Sequence, residues 1–159
     1  MPRAAIALGS NLPSVFGSKD ETLHQATLAI HRLPATRVIT RSAFHTTNPV
    51  GLLDQPQFLN AAMIVETSLT PHELLGTLLG IEAAFGRDRE QTLRNGPRPL
   101  DLDLLTYDDL ILSEPSLTLP HPRLHERAFV LVPLAEIAPD MRIPGRNASV
   151  RECLAALHT

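Results

Sequence analysis

The stretch GPRPLDLDLL, residues 96–105, places two aspartates inside a run that otherwise has the composition of a buried β-strand. On a strand, side chains two residues apart point to the same face, with Cα atoms about 6.5–7 Å apart. Asp101 and Asp103 therefore share one face, and Leu100, Leu102 and Leu104 take the other. Two like charges at this spacing repel each other, and partial burial increases the repulsion.

Three arrangements would relieve this repulsion, and the pattern leaves them open. One carboxyl group stays protonated, neighbouring arginines neutralise the pair, or a divalent metal ion binds to the carboxylates. Oxygen ligands with no cysteine nearby favour Mg²⁺ or Mn²⁺ over zinc, and such a pair can hold one or two ions. The plainer alternative is an exposed strand face whose aspartates meet solvent, lysine or arginine.

Arginines surround the aspartate pair in the sequence. They are Arg87, Arg89, Arg94, Arg98 and, further along the chain, Arg127. A guanidinium group binds two phosphate oxygens at once, and carboxylates with Mg²⁺ and several arginines are what phosphoryl transfer requires. The alternative is that these arginines are solvated or only pair with nearby acids. Neither G-x-x-x-x-G-K-[ST] nor G-x-G-x-x-G occurs, so a nucleotide would bind without a glycine-rich phosphate loop.

Other polar and aromatic residues have both a structural and a functional interpretation. Asn60 lies in an apolar strand, where it is either a satisfied core amide or a polar anchor for a ligand. Phe58 and Phe129 are core residues by default, and His121 has no acid or cysteine at ligand spacing. Glu82 lies near the end of an apolar helix face and could pair with an arginine of the loop that follows.

The composition is that of a soluble globular protein, and 159 residues suit one domain, residues 1–159. A formal net charge of −3 provides no basic field, so we expect neither nucleic acid nor a membrane as a partner. The single cysteine, Cys153, rules out an internal disulfide and fits a reducing, cytoplasmic setting. The N-terminal apolar run AAIAL is too short for a signal peptide or a membrane span.

Strand and helix signals mix without regular βαβ repeats, which predicts an α+β domain with antiparallel pairing. The GSN motif at residues 9–11 indicates a turn, and the polar, arginine-rich residues 87–99 indicate a mobile loop. Pro133 is expected to kink or split the helix that contains it. The predicted strands are about 4–8, 36–46, 58–67, 100–106 and 110–112, and the predicted helices are about 19–32, 71–85, 123–137 and 150–157.

Five segments stand in order along the chain, which are ALGSNL, TNPVG with DQPQFLNAA, IEAAFGRDR, GPRPLDLDLL and LPHPRLHERAFVLVPLAEIAP. Together these segments resemble the 6-hydroxymethyl-7,8-dihydropterin pyrophosphokinase family of folate biosynthesis. They lie within residues 5–139, nearly the whole chain. The resemblance implies a ferredoxin-like, mostly antiparallel sheet with helices packed on its faces. It also implies transfer of the β,γ-pyrophosphoryl group of ATP to the pterin hydroxymethyl oxygen, with release of AMP.

The resemblance assigns a role to each motif residue. Two Mg²⁺ ions would be held by Asp101 and Asp103 and would bridge the triphosphate and the attacking hydroxyl. The catalytic residues would be Arg87, Arg98, Asp101 and Asp103. The pterin would be bound by Thr47, Pro49, Val50, Phe58, Asn60 and Phe129, with the two phenylalanines stacked on its ring. ATP would be bound by Glu82, Arg87, Arg89, Arg94, Arg98, Leu104, Thr118, His121 and Arg127.

The chain departs from the family pattern at three positions near the nucleotide. Asn95 stands where some members have tryptophan, and Ser116 and Leu79 stand where some have arginine or glutamine. These changes concern ATP contacts rather than the chemistry. We expect a monomeric, cytoplasmic enzyme with ATP and the pterin as its partners. One alternative is a Mg²⁺-dependent nucleotide hydrolase, which would leave the TNPVG loop and the phenylalanines without use. Another is a non-catalytic nucleotide-binding domain, since the ferredoxin-like fold hosts many functions.

Overall fold

A computed structural model describes residues 1–48, 54–86 and 97–157 of the chain. The strands are β1 (Arg3–Ser10), β2 (Thr36–Arg41), β3 (His45–Thr47), β4 (Phe58–Thr67), β5 (Asp101–Tyr107), β6 (Leu112–Ser113) and β7 (Thr118–Leu119). The helices are α1 (Lys19–His31), α2 (Pro71–Ala84), α3 (Ala128–Ile137) and α4 (Val150–Leu157), and a 3-10 turn covers Leu124–Glu126. Helices and strands mix as expected for an α+β fold.

The main sheet has the strand order β2-β4-β1-β5, and β3 also pairs with β4. Every pairing in it is antiparallel. In the register of the central strand β1, Gly9 lies opposite Asn60 of β4 on one side and opposite Asp101 of β5 on the other. The sheet therefore brings the amide and the first aspartate to the same end of β1. The short strands β6 and β7 form a separate two-stranded sheet.

Helices cover both faces of the main sheet, which agrees with the ferredoxin-like fold that the resemblance implies. On one face, apolar residues of α1 and α2 pack against alternate residues of β1, β4 and β5, including Leu102 and Leu104. On the other face, α3 and α4 pack against the intervening residues, including Leu105. Because side chains alternate along a strand, Asp101 and Asp103 lie on the same face as Leu105, towards α3.

The helix ends follow the capping signals in the sequence. The side chains of Ser18 and Thr70 accept hydrogen bonds from the backbone N–H groups of Glu21 and Glu73, at the starts of α1 and α2. At α2 the Glu73 carboxylate also accepts from the Thr70 backbone, which completes a capping box. Gly86 follows this helix with φ +95°, a left-handed conformation that glycine adopts without strain.

The predicted strand 36–46 is two strands, because a side chain interrupts the backbone ladder. Ser42 donates its backbone N–H to the Ala62 carbonyl, while its hydroxyl accepts the Ala62 N–H at 3.0 Å. The hydroxyl thereby takes the place of a backbone carbonyl, and regular pairing resumes only at His45. The turn expected at residues 9–11 also begins later, since Gly9 and Ser10 still belong to β1.

For two elements in the C-terminal half of the chain, the predicted boundaries are wrong. The strand expected at 110–112 is β6 at 112–113, because Leu110 N–H bonds back to the Tyr107 carbonyl and lengthens the turn. The helix expected over 123–137 is a 3-10 turn followed by α3, and the break lies at Arg127, whose φ of −108° and ψ of 99° are extended. Pro133 does not split the helix, since α3 continues through it, and the alternative expectation of a kink stays a prediction.

Of the loop expected at residues 87–99, positions 87–96 lie outside the described residues. Within the ranges that the structure describes, no helix has the length and apolar character needed to cross a membrane. Cys153 is buried in α4 with a free thiol.

Candidate active site

A cavity of about 510 Å³ opens at the end of the sheet where β1 ends and β5 begins. The sheet supplies one wall, and the segment that contains the 3-10 turn and the start of α3 supplies the other. Its lining consists of Ala7, Leu8, Gly9, Thr47, Phe58, Asn60, Arg98, Asp101, Asp103, His121, Arg123, Glu126, Arg127, Ala128, Phe129 and Val130.

The two aspartates each lie beside an arginine from a different part of the chain. A terminal nitrogen of Arg98 is 3.5 Å from a carboxylate oxygen of Asp101, and one of Arg127 is 3.9 Å from Asp103. The aspartate side chains are 25% and 27% exposed, so both remain accessible from the cavity. Of the three arrangements that the sequence left open, neutralisation by arginine is therefore present in this structure.

The same two arginines also contact the phenylalanines. The guanidinium carbon of Arg98 lies 5.8 Å from the centre of the Phe58 ring, and that of Arg127 lies 5.6 Å from the Phe129 ring. These distances are within the range of cation–π attraction. The cavity thus contains two similar groups, each with one carboxylate, one guanidinium and one aromatic ring.

Asn60 is buried next to the phenylalanines and has a fixed orientation. Its Nδ2 donates to the Thr47 hydroxyl, which leaves its Oδ1 on the side of β1. A Cβ atom built on Gly9 would lie 3.1 Å from this Oδ1, so any side chain at position 9 would crowd the amide. The absence of a side chain at Gly9 therefore keeps space for the Asn60 oxygen as an acceptor at the cavity wall.

His121 is a neutral group in this cavity. Burial lowers its pKa from the usual 6.5 to about 4, the guanidinium groups of Arg127 and Arg123 lower it as well, and Asp101 opposes them. The ring Nδ1 accepts a hydrogen bond from the backbone N–H of Arg123 at 3.3 Å. A neutral imidazole that accepts at Nδ1 carries its proton on Nε2, so His121 offers an uncharged donor.

The structure brings most of the described site candidates together. Those that line the cavity are Thr47, Phe58, Asn60, Arg98, Asp101, Asp103, His121, Arg127 and Phe129. Five candidates lie outside the described residues, which are Pro49, Val50, Arg87, Arg89 and Arg94. The structure does not bring three others to the cavity, which are Glu82, Leu104 and Thr118.

The positions of these three residues explain why they do not line the cavity. Leu104 is 4% exposed and belongs to the core on the opposite face of the sheet. Glu82 is 1% exposed, and its carboxylate accepts the backbone N–H of Leu102 at 2.7 Å. Thr118 is exposed on β7. A contact between ATP and any of them would have to lie outside the cavity described above.

Sequence reasoning gave no role to several residues that the structure places at the site. Arg123 and Glu126 line the cavity and form an ion pair at 3.5 Å. The signal for them was the polar stretch PRLHER within an otherwise apolar segment. Gly9 was interpreted only as part of a turn, although a glycine within a strand often marks a close approach of other groups.

The aspartate pair fits a divalent cation. It offers oxygen donors on one face, partly exposed, in a cavity with room for more ligands. Mg²⁺ commonly takes one or two carboxylates from a protein and completes its shell with water and substrate phosphates. In residues 1–48, 54–86 and 97–157 there is no larger cluster of three or more potential ligand side chains.

Carboxylates and guanidinium groups converge on one end of an antiparallel sheet, beside two aromatic rings, and this set of groups suits an enzyme that handles phosphate. Residues 5–139 match the family model described as 7,8-dihydro-6-hydroxymethylpterin-pyrophosphokinase, HPPK. The chain belongs to this family, which confirms the resemblance found in the sequence.

Relatives of similar length carry the corresponding name. A 2-amino-4-hydroxy-6-hydroxymethyldihydropteridine pyrophosphokinase of Methylorubrum extorquens is 50% identical over 157 residues, which cover 99% of this chain and 94% of the relative. The Pseudomonas aeruginosa protein of the same name is 44% identical over 155 residues, covering 97% and 91%.

Solved structures agree with the fold. A crystal structure of Plasmodium falciparum HPPK-DHPS superposes with a TM-score of 0.74 at 13% identity and covers 98% of this chain. This chain spans 44% of that longer one. An HPPK-DHPS crystallised in complex with substrates gives a TM-score of 0.73, also at 13% identity, and this chain spans 43% of it.

Proposed function

We propose that the chain is a Mg²⁺-dependent pyrophosphokinase of folate biosynthesis, which transfers the β,γ-pyrophosphoryl group of ATP to the hydroxymethyl oxygen of 6-hydroxymethyl-7,8-dihydropterin. In this reaction the hydroxyl oxygen forms a bond to the β-phosphorus of ATP. The bond from that phosphorus to the oxygen of the α-phosphate breaks, AMP leaves, and the hydroxyl proton is released. The observation that carries the proposal is the cavity that joins the aspartates and arginines to two aromatic rings.

Arg98 and Arg127 would bind the triphosphate. Both are mostly buried in the cavity wall, with side chains 13% and 23% exposed, so little conformational entropy is lost when they contact phosphate. Their planar groups suit paired phosphate oxygens, and charge neutralisation at fixed positions is the main requirement of phosphoryl transfer. When ATP binds, each guanidinium group would exchange a carboxylate for a phosphate and would therefore keep an anionic partner.

Asp101 and Asp103 are the residues that would hold Mg²⁺, and we propose two ions. Bound there, Mg²⁺ would neutralise phosphate charge and lower the pKa of the substrate hydroxyl. The rigid strand β5 mounts the carboxylates in fixed positions. Their oxygens are also bases that can accept the proton that the hydroxyl loses.

The flat pterin ring would stack between Phe58 and Phe129, since aromatic faces attract one another and bury apolar area. Asn60 Oδ1, oriented by Thr47, would accept a hydrogen bond from an N–H of the pterin edge. A ring held in this way would carry its hydroxymethyl group towards the aspartates. Such positioning is worth several kcal/mol in reactions between two bound substrates.

His121 would donate to ATP through Nε2 without adding a positive charge. The resemblance adds Arg87, Arg89 and Arg94 as phosphate ligands and places Pro49 and Val50 at the pterin edge. We propose these roles on the motifs alone. The resemblance also places Glu82, Leu104 and Thr118 at the ATP, outside the part of the cavity that the described residues line, and these contacts stay predictions.

We further propose that residues 1–159 form one pyrophosphokinase domain that acts as a monomer. The family model covers residues 5–139, and α4 packs in the same core as α3. The single cysteine, Cys153, has a free thiol, which fits a reducing compartment, and we place the enzyme in the cytoplasm.

The test is to mix the purified protein with ATP, Mg²⁺ and 6-hydroxymethyl-7,8-dihydropterin and to separate the nucleotides. We expect AMP in a one-to-one ratio with pyrophosphorylated pterin. ADP as the product would indicate a single-phosphoryl kinase or a nucleotide hydrolase. Bound ATP without turnover would indicate the non-catalytic nucleotide-binding alternative. Omission of Mg²⁺ should abolish product formation, and full activity in EDTA would contradict the metal requirement.

A further inference from the structure

The side chain of Asn11, directly after β1, is 1% exposed and makes three hydrogen bonds to two distant segments. Its Nδ2 donates to Gln55 Oε1 at 2.8 Å and to the Pro56 carbonyl at 3.1 Å. Its Oδ1 accepts the backbone N–H of Arg98 at 2.8 Å. Both amide hydrogens and the amide oxygen are therefore used, so this buried side chain is well satisfied.

The two segments that Asn11 joins lead to different halves of the cavity. Arg98 carries the guanidinium beside Asp101, on the side that we assign to phosphate. Gln55 and Pro56 come just before Phe58, the first residue of β4, on the side that we assign to the pterin. Asn11 does not line the cavity, so it can affect a reaction there only through these segments.

The connection to Arg98 is a double one. The backbone N–H of Asn11 also donates to the Arg98 carbonyl, at 3.2 Å. Both backbone polar groups of Arg98 are thus bonded to the same residue, which extends the pairing of β1 and β5 beyond the last register pair, Gly9 with Asp101. Arg98 cannot shift along β1 without breaking two hydrogen bonds.

We propose that Asn11 is a positioning residue that fixes the phosphate-binding segment at Arg98 relative to the pterin-binding segment before Phe58. The inference rests on the proposed function, which gives these two segments their roles. The transfer joins atoms of two separate substrates, and a misplacement of about 1 Å in such a reaction can cost about 100-fold in rate. A residue that holds both segments therefore acts on the rate of the chemical step.

The chemistry of the contacts explains why an asparagine is needed. Gln55 Oε1 and the Pro56 carbonyl are both acceptors, and the Arg98 N–H is a donor. Only an amide offers donors on one side and an acceptor on the other at this length. Aspartate has nearly the same shape but would place an oxygen against two acceptors, while its other oxygen would still accept from Arg98.

The test uses Asn11→Asp, which keeps the contact to Arg98 and removes both donors to residues 55 and 56. We expect the single-turnover rate of AMP formation, with enzyme in excess, to fall about 10- to 100-fold. The half-saturating concentrations of ATP and of the pterin should each change less than about 3-fold, because neither binding surface is altered. Gln55→Ala, which removes one of the two acceptors, should lower the rate by a smaller factor, about 3- to 10-fold.

Thr22→Val is the matched control. Thr22 is fully buried at the start of α1, and its hydroxyl bonds to Ser14 Oγ and to the Ser18 carbonyl, which belong to neither segment. The exchange keeps the shape and loses buried hydrogen bonds, so Tm should fall while the single-turnover rate stays within about 2-fold of the wild type.

The possible results distinguish a failure of the proposed function from a failure of the inference about Asn11. Wild-type protein that forms no AMP removes the proposed function and this inference with it. An active wild type with a folded Asn11→Asp variant of unchanged rate overturns the inference alone, and so does a Thr22→Val variant that slows as much as Asn11→Asp. If Asn11→Asp does not fold, Gln55→Ala decides, and an unchanged rate in that variant overturns the inference.

Discussion

Arg98 covers the ring of Phe58, with 5.8 Å between the guanidinium carbon and the ring centre. The same guanidinium contacts Asp101, and Arg127 repeats the arrangement with Phe129 and Asp103. Each arginine thus contacts an aspartate and an aromatic ring at once. In the proposed reaction, phosphate would attract both arginines, which would leave the carboxylates for Mg²⁺ and the ring faces for the pterin. The two substrate sites are therefore connected through two side chains.

Replacing Phe58 tests the aromatic half of this arrangement. Phe58→Ala removes a stacking partner worth about 1 kcal/mol, so KM for the pterin should rise about 5- to 10-fold. KM for ATP should change much less, because the triphosphate contacts are polar. Steady-state kinetics with each substrate varied in turn provide the measurement. Phe58→Tyr keeps the ring and is the matched control, and equal increases in both KM values in Phe58→Ala would contradict the pterin assignment.

Replacing Asp103 tests the carboxylate half. Asp103→Asn keeps the shape but removes the charge that Mg²⁺ requires, so turnover should fall at least about 100-fold and lose its dependence on Mg²⁺. The fold should be retained, since the repulsion between Asp101 and Asp103 is relieved. A Mg²⁺ titration of AMP formation measures this, with Tm as the test of folding. Asp109→Asn, in the exposed turn after β5, is the control, and near-normal turnover in Asp103→Asn would rule out the proposed metal site.

Glu82 supports the strand that carries the aspartates. Its buried carboxylate accepts the N–H of Leu102, which lies between Asp101 and Asp103 in β5. Glu82→Leu would leave this buried N–H without its acceptor and should lower the free energy of unfolding by about 1–3 kcal/mol. Glu82→Gln keeps an acceptor oxygen and should cost less. Urea denaturation of the three proteins measures the difference, and equal stability of both variants would show that this hydrogen bond contributes little.

The sequence patterns were sufficient for elements with local signals. β4 occupies residues 58–67 as predicted, because this run is mostly apolar, has β-branched residues near its end and contains no glycine or proline. Capping residues located the starts of α1, α2 and α4. The break at Arg127 could not be predicted in this way, because Leu124 and Glu126 before it have good helix propensity and no side-chain cap marks the start of α3.

The residues of the site also differ in whether a local sequence pattern predicts them. Asp101 and Asp103 were predictable as a pair because strand periodicity alone puts them on one face. Glu82 and Asn11 show the limit of such reasoning. Both are buried polar groups whose partners lie 20 and 87 positions away in the sequence, at Leu102 and Arg98. Only the packing of α2 against β5, and of the end of β1 against residue 98, shows which backbone groups they satisfy.

The pH dependence of stability provides a test of the buried His121. In the folded protein its pKa is about 4, and in the unfolded chain it takes the usual value of 6.5. Above pH 6.5 the ring is neutral in both states, so its contribution to stability is fully present. As the pH falls from 6.5 to 4, only the unfolded chain gains the proton. The free energy of unfolding should therefore decrease, by at most about 1.4 kcal/mol per pH unit from this group.

His121→Gln removes the proton-binding group but keeps a polar side chain that can donate a hydrogen bond. Urea denaturation at pH 7 and pH 5 should show a smaller loss of stability on acidification for this variant than for the wild type. His24→Gln, at an exposed position in α1, controls for the removal of a histidine as such. If the wild type and His121→Gln lose the same free energy between these two pH values, the ring is not held neutral by burial. His121 would then not be the uncharged donor that we assign to ATP.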